Sequence, residues 1–294
     1  LSQEAKIVLC KAACEWVGIP LNKRKEENIA NDFYSLVDAI GSFGKRYLKG
    51  CIARKNLEKW LQNEIELIRK RKERAKHDLP AYYIAWYRDN TGNLLDSKTA
   101  AVELINVIRP IVAISTYITF GLLALQDNRK WIRKIQSRKE NKDHTLELFS
   151  QEVRRFYPFT PFIGAKVRKN FAWKGYFFKK GTLVLLDIYG INHDPRLWDN
   201  PYKFQPERFD NMDISPYNFI PQGGGSVDFG HRCPGEKVTV ELMKVSLDFI
   251  VNNIHFTVPE QNFTYSLSRI PSLPKSGMVI KDPLLIKNLK EQWK

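Results

Sequence analysis

Phe229-Gly230-His231-Arg232-Cys233-Pro234-Gly235 is the stretch that governs what this 294-residue chain can be. Cys233 follows a glycine-rich run, Gly223-Gly224-Gly225, and stands directly before Pro234, a residue suited to the first position of a helix. The sulfur therefore meets the positive end of a helix dipole and free backbone N–H groups, a setting that suits a sulfur ligand to a metal. No Cys or His pair lies nearby at zinc spacing. A single sulfur can instead be the axial ligand of haem iron, where the porphyrin supplies the other four donors; a buried structural cysteine is the alternative.

Outward from this loop, the helix expected from Pro234 shows Val238, Leu242, Val245 and Phe249 on one face. Upstream, Asn192 to Gly230 is rich in Pro, Gly, Asn and Asp and reads as a long meander. Phe204-Gln205-Pro206-Glu207-Arg208-Phe209 lies within it, and Arg208 is twenty-five residues before Cys233. A further fifty-three residues before Arg208 stands Arg155, which forms with Glu152 an E-x-x-R pair on one helix face. Between helix and meander, Phe162 to Val167, Phe171 to Trp173 and Thr182 to Ile188 read as strands. Tyr189, Asn192, His193, Asp194 and Pro195 form a turn in which His193 reads as a hydrogen-bonded structural residue.

Earlier still, Asp96 or Ser97 can cap a helix that carries through Leu104, Ile105 and Ile108 into the apolar run Ile111 to Leu125. Fifteen apolar residues are too few for a membrane span, so this reads as a buried central helix, with no transmembrane segment. A charged helix is expected from about Ile52 to Lys76, with Leu57, Trp60, Leu61, Ile65 and Ile68 on its inner face and the positive run Arg69 to Lys76 in solvent. Ser2 to Val17 reads as a helix ended by Gly18 and Pro20, its Cys10 and Cys14 buried as small hydrophobes. Four cysteines in all are too few for a disulfide scaffold. Lys and Arg outnumber Asp and Glu by 47 to 32, giving +15, but no aromatics interleave with base-reading side chains, so nucleic acid is not an expected partner. The chain opens on Leu1 without a secretion signal, and a missing N-terminal portion is expected.

The order and spacing of Glu152, Arg155, Arg208 and Cys233 resemble cytochrome P450, over essentially the whole chain but only as the C-terminal two thirds of that fold. The resemblance implies one mainly α domain with small β-sheets across residues 1–294. Its distal long helix is expected at about 97–125, the E-x-x-R helix at about 144–156, the meander at about 192–230, and the haem-thiolate loop with its following helix at about 223–253. It further implies haem b as cofactor, Cys233 as proximal iron ligand, Gly235 admitting close approach of the porphyrin, and a buried network of Glu152, Arg155 and Arg208. Two positions depart from the common loop: Ser226 and His231 stand where Phe and Arg are usual.

A second departure lies in the distal helix, where ordinary members carry an acid followed by a threonine. Here the chain reads Asn106-Val107-Ile108-Arg109-Pro110-Ile111-Val112-Ala113. Pro110 lacks an amide hydrogen and crowds the carbonyl of Asn106, so a kink beside Arg109 is expected. An arginine in an apolar helix cannot shed its proton and requires an anion; Glu103, six residues earlier, lies on a different face. With Gln151-Glu152-Val153-Arg154-Arg155-Phe156-Tyr157-Pro158-Phe159 and Pro221-Gln222-Gly223-Gly224-Gly225, this constellation resembles the peroxide-using fatty-acid P450s.

That resemblance implies a cytoplasmic peroxygenase that uses hydrogen peroxide to hydroxylate long-chain fatty acids at the α or β carbon, or to decarboxylate them, with no obligatory redox partner. Arg109 would be the catalytic residue that binds the substrate carboxylate, and Pro110, Phe159 and Thr160 would line the pocket beside it. The alternatives are a conventional reductase-dependent monooxygenase, against which Arg109-Pro110 argues, and a truncated non-catalytic fragment unable to retain haem.

Overall fold

The structure, a computed structural model, describes residues 1–70, 78–137 and 141–286. Helix α1 (Ser2–Val17) ends where Gly18 adopts φ 86° and donates its N–H to the carbonyls of Cys14 and Glu15. Cys10 and Cys14 are free thiols with no exposed surface, and the neighbouring Cys10 together with burial pushes the Cys14 thiol up. Helix α2 (Glu26–Asp38) lies against α3 (Lys45–Lys70), which buries Leu57, Leu61, Ile65 and Ile68. The axes approach closely because Gly50 has no side chain, where a Cβ would stand 2.4 Å from that of Ala39.

α3 begins at Lys45, ahead of the expected Ile52. Arg69, read from the sequence as solvated, instead donates Nε to the Ala85 carbonyl at 2.9 Å and Nη2 to that of Leu95 at 2.5 Å, tying α3 to the short helix α4 (Pro80–Trp86) and the turn after it. An apolar helix face and two unpaired carbonyls outcompete solvent for that guanidinium. Positions 71 to 76 of the positive run lie outside the described residues.

The central helix is two segments, α5 (Ser97–Ala113) and α6 (Ser115–Asp127). Asp96 caps the first, its Oδ1 accepting from the Thr99 amide at 2.9 Å. Helical geometry continues through Pro110, and the interruption falls four residues later at Ile114, whose N–H reaches back to Ile111. There the Ser115 hydroxyl donates to the Val112 carbonyl at 2.7 Å. Together, Ser97–Asp127 is long and apolar enough to cross a membrane by length and composition, but 78% of the qualifying window is buried inside the fold. Length alone is therefore not what marks it as a core helix; burial is.

Two hydrophobic clusters hang on this helix. Leu104, Ile105, Ile108 and Val112 of α5 pack with α1, α2, α3 and α4. From Ser115 to Leu125 every residue of α6 is buried, largely among α7 (Lys130–Ser137), α8 (Lys142–Phe156) and α10 (Glu236–Asn253), the last preceded by the short α9 (Ile188–Asn192). α10 reverses the expected face. Of the face read from the sequence, Val238, Val245 and Phe249 are exposed and Leu242 is half-buried against the core, while Val240, Met243, Leu247 and Ile250 form the buried stripe. α10 is apolar on both sides, and the choice is made by Gly121 of α6, where a Cβ would come within 2.9 Å of Leu247.

Among the described residues there are three two-stranded antiparallel sheets: β1 (Phe162–Lys166) with β4 (Leu183–Asp187), β2 (Phe171–Trp173) with β3 (Tyr176–Phe178), and β5 (Ile254–Thr257) with β6 (Lys281–Leu285). β1 and β4 align Phe162 with Asp187 and Lys166 with Leu183. Leu183, Leu185 and Leu186 of β4 stand exposed. The fold is mainly α with small sheets.

Candidate active site

α8 presents Glu152, Val153, Arg154 and Arg155 to the interior, four buried residues in succession. Glu152 and Arg155, three apart, meet on one face: Nε donates to Oε2 at 2.7 Å and Nη2 to Oε1 at 2.8 Å. Arg208 brings its Nε to 3.3 Å from the same Oε2, from the short 3-10 segment Pro206–Asp210. Neither Glu152 nor Arg155 has any exposed side-chain surface, so each lost hydration shell must be replaced. Arg155 donates to the carbonyls of Asn192 and Pro201 at 2.8 and 2.9 Å, and Arg208 to that of Asp199 at 2.7 Å. The amide of Gln205 adds a donor to Glu152 at 2.8 Å. The triad thus fastens the otherwise irregular meander to α8.

A second network, which sequence reasoning missed, fastens the cysteine loop to the same helix. Arg154 reaches out the other way, pairing with Glu236, donating Nε to Gln222 Oε1 at 2.9 Å, and lying over the Phe219 ring at 5.1 Å. Glu236 also accepts from Arg232 Nε at 2.6 Å, and Gln222 Nε2 donates to Thr239 at 3.1 Å. The signal was present in the charges Arg232 and Glu236, four apart around Cys233, but their partner eighty residues upstream shows no sequence periodicity.

Cys233 sits between these anchors. Its amide donates to the Gln222 carbonyl at 3.0 Å, and its carbonyl receives the Glu236 amide at 3.4 Å as α10 begins. Gly223, at φ +90°, lets the two arms of the loop touch: a Cβ there would lie 1.8 Å from the His231 carbonyl oxygen. At Gly235 a Cβ would lie 3.6 Å from Cys233 Sγ, so its absence leaves the space beside the sulfur open. Among the described residues no group of three or more His, Cys, Asp or Glu could hold a bare ion. One half-buried sulfur on a glycine-built loop fits a metal that brings its other donors with it, as haem iron does.

Arg109 is half-buried in α5, and burial, with Arg54 nearby, pushes its guanidinium below the ordinary value. Glu103 turns to Asn106 at 3.5 Å, and among the described residues Arg109 has neither ion pair nor hydrogen bond. Pro110 beside it is exposed, and Phe159 and Thr160, just past α8, are half-buried. Phe159 stacks on Tyr117 of α6, centroids 4.8 Å apart. Tyr117 is within electrostatic reach of Arg154, Glu236 and Cys233, and burial pushes its phenol up. The aromatic stack therefore links the segment after α8 to the cysteine side, two helical turns beyond Arg109. His193 donates its Nδ1–H to the Tyr189 carbonyl, 2.9 Å away, as a turn residue does.

Residues 53–281 match the cytochrome P450 family model. Probable cytochrome P450 4e1 of Drosophila melanogaster is 33% identical over 108 residues, 37% of this chain and 20% of its own. Cytochrome P450 3A9 of Rattus norvegicus is 27% identical over 219 residues, 68% of this chain and 42% of its own. The chain thus spans less than half the length of these relatives. Among solved structures, cytochrome P450SP alpha (CYP152B1) in complex with (R)-ibuprophen superposes with a TM-score of 0.88 at 42% identity, covering 97% of this chain and 69% of that one. Cytochrome P450EX alpha (CYP152N1) with myristic acid gives 0.87 at 40%, covering 97% and 68%, and an OleT variant with arachidonic acid gives 0.87 at 36% with the same coverage. With the buried E-x-x-R triad, the glycine-built cysteine loop and these likenesses in one chain, the protein belongs to the cytochrome P450 family.

Proposed function

We propose that this chain is the catalytic core of a cytoplasmic haem-thiolate peroxygenase that hydroxylates long-chain fatty acids at the α or β carbon, or decarboxylates them, at the expense of hydrogen peroxide. The observation that carries the reading is Arg109: a half-buried guanidinium in an apolar helix, without an anion of its own among the described residues. Its five fixed donors match a carboxylate bidentately. The structural neighbours carry myristic acid, arachidonic acid and the acid (R)-ibuprophen, which supports an acidic ligand for this chain as well.

Cys233 would hold haem through its Sγ, and the bound group would supply the peroxide-activating and oxidising chemistry. The protein's own part is positional. Arg109 holds the substrate carboxylate in place of the acid and alcohol found in ordinary members. That carboxylate can accept a proton from hydrogen peroxide and return it to the departing oxygen, general acid–base work done by the substrate under the direction of the guanidinium. Gripping the head group leaves the α and β carbons nearest the reacting centre, while Phe159 and Thr160 border the chain. The Arg154–Glu236–Arg232 network and the Glu152 triad fix the loop that presents Cys233.

Turnover of a long-chain fatty acid with hydrogen peroxide alone, reductase omitted, tests the proposal. Arg109→Ala should lower that turnover by at least about a hundredfold while leaving the haem spectrum intact. In the parent, added short carboxylic acids held by Arg109 should support peroxide-driven oxidation of neutral substrates, and in Arg109→Ala they should not. Normal fatty-acid turnover by Arg109→Ala, or an absolute need for a reductase, defeats the reading.

A further inference from the structure

A cavity of about 200 Å³ lies between α1, α2, α6 and the loop of residues 269–277, and none of its lining belongs to the residues assigned above to haem or fatty acid. Its walls carry Ser2, Lys6, Tyr34, Thr116, Thr119 and Arg269. The hydroxyl bonds there can be followed one at a time. Thr119 donates to the Ser115 carbonyl at 2.8 Å, and Ser2 accepts the Met278 amide at 3.1 Å and pairs with Thr119 at 3.0 Å, so that pair is complete. Tyr34 and Thr116, both buried, share a single bond of 3.1 Å. Two O–H groups enter that pair and one bond uses one proton; the other O–H has no acceptor among the described residues.

The charges around the cavity are just as one-sided. Lys6 places its ammonium 3.9 Å from the centre of the Tyr34 ring and makes no ion pair among the described residues. The single carboxylate in its field is Asp38, which is taken up by Arg46 at 3.1 Å and Arg269 at 2.7 Å. Lys49 and Arg269 add positive potential at Lys6, and burial already pushes that ammonium down. Three cations, Lys6, Arg269 and Lys275, thus line a space that contains a spare hydroxyl donor, and the carboxylate acting on Lys6, Asp38, is already engaged. Unmatched donors and uncompensated positive charge in a walled cavity are the complement of a small anion with several acceptor oxygens.

We propose that this cavity binds a small oxyanion, a carboxylate or a phosphate, through Lys6 and the Tyr34–Thr116 hydroxyl pair. The volume admits such a group with a few waters. The site is independent of the fatty-acid proposal, since it uses none of the same side chains.

Isothermal titration calorimetry of the full chain with sodium phosphate, and separately with sodium acetate, at constant ionic strength, tests it. At least one of the two should give a single saturable event with Kd in the range of about a millimolar. Saturation by phosphate alone assigns a tetrahedral oxyanion, by acetate alone a carboxylate, and by both a site that reads only charge and acceptors. Lys6→Met and Thr116→Val should each weaken the event about tenfold, Thr116→Val being nearly isosteric and so a guard against a folding effect, and the exposed Lys98→Met should leave it unchanged. If neither salt saturates, or if Lys6→Met and Thr116→Val bind as the parent does, the cavity holds only water and the proposal is overturned.

Discussion

Glu152 pairs with two arginines through one carboxylate in a place water cannot reach. Replacing it by Gln keeps the shape and removes the charge, leaving Arg155 buried and unpaired. Glu152→Gln should therefore cost about 3–5 kcal/mol of unfolding free energy, read from denaturant melts, and loosen the meander first. His193 makes a different prediction. Burial, with Arg155 and Arg208 adding to it, pushes its imidazole down to about 4 from an ordinary 6.5, and its Nε2 has no partner among the described residues. The unfolded chain takes up a proton near pH 6.5 that the folded chain refuses until about pH 4, so the stability this residue supplies is full above pH 6.5 and drains away as pH falls through that window. Unfolding free energies of the parent and of His193→Gln, compared at both ends of that window, should show a shallower pH slope in the variant.

At the level of elements, α10 is the instructive case. Its two apolar stripes are equally helical in spacing, and periodicity alone could not say which one faces inward. Met243 has no exposed surface and Val245 is 66% exposed. Met243→Ala should cost about 2–5 kcal/mol, and Val245→Lys should stay within about 0.5 kcal/mol, as thermal or chemical melts will measure. Other elements were plainer. The α1 stop at Gly18, the Asp96 cap and the end of α8 ahead of Pro158 follow from local chemistry that the residues themselves carry, and so they could be read directly. Glu152, Arg155, Arg208 and Cys233 were legible as a set through their order and spacing. The β2–β3 hairpin was overlooked although Lys174-Gly175, both at positive φ, form its two-residue turn; what could not be read were features made by distant partners: Arg154 meeting Glu236, Arg69 turning back onto Leu95, and β5 finding β6. None of these has a signal within one turn or one hairpin of its own sequence.

For the molecule as a whole, two hydrophobic clusters are strung on one long helix, while a second set of apolar side chains remains outside them. Leu183, Leu185 and Leu186 of β4 are exposed, as are Phe171, Trp173 and Phe177 of β2 and β3 and, separately, Val245 and Phe249 of α10. Isolated exposed hydrophobes are ordinary, but neighbouring ones on a strand edge invite association. The 294-residue chain in solution should therefore enhance the fluorescence of an apolar-surface dye well above that of a compact protein of its size, and its sedimentation should depend on concentration. The interruption at Ile114 gives the long helix a further property. It is a splice between the turn that holds Arg109 and the turn that holds Tyr117, so the angular phase of the guanidinium relative to the aromatic stack is set by a single residue. Each amino acid added or removed there rotates one half against the other by about 100° and shifts it by about 1.5 Å, which makes the joint a vernier for the distance and bearing between the cation and the sulfur.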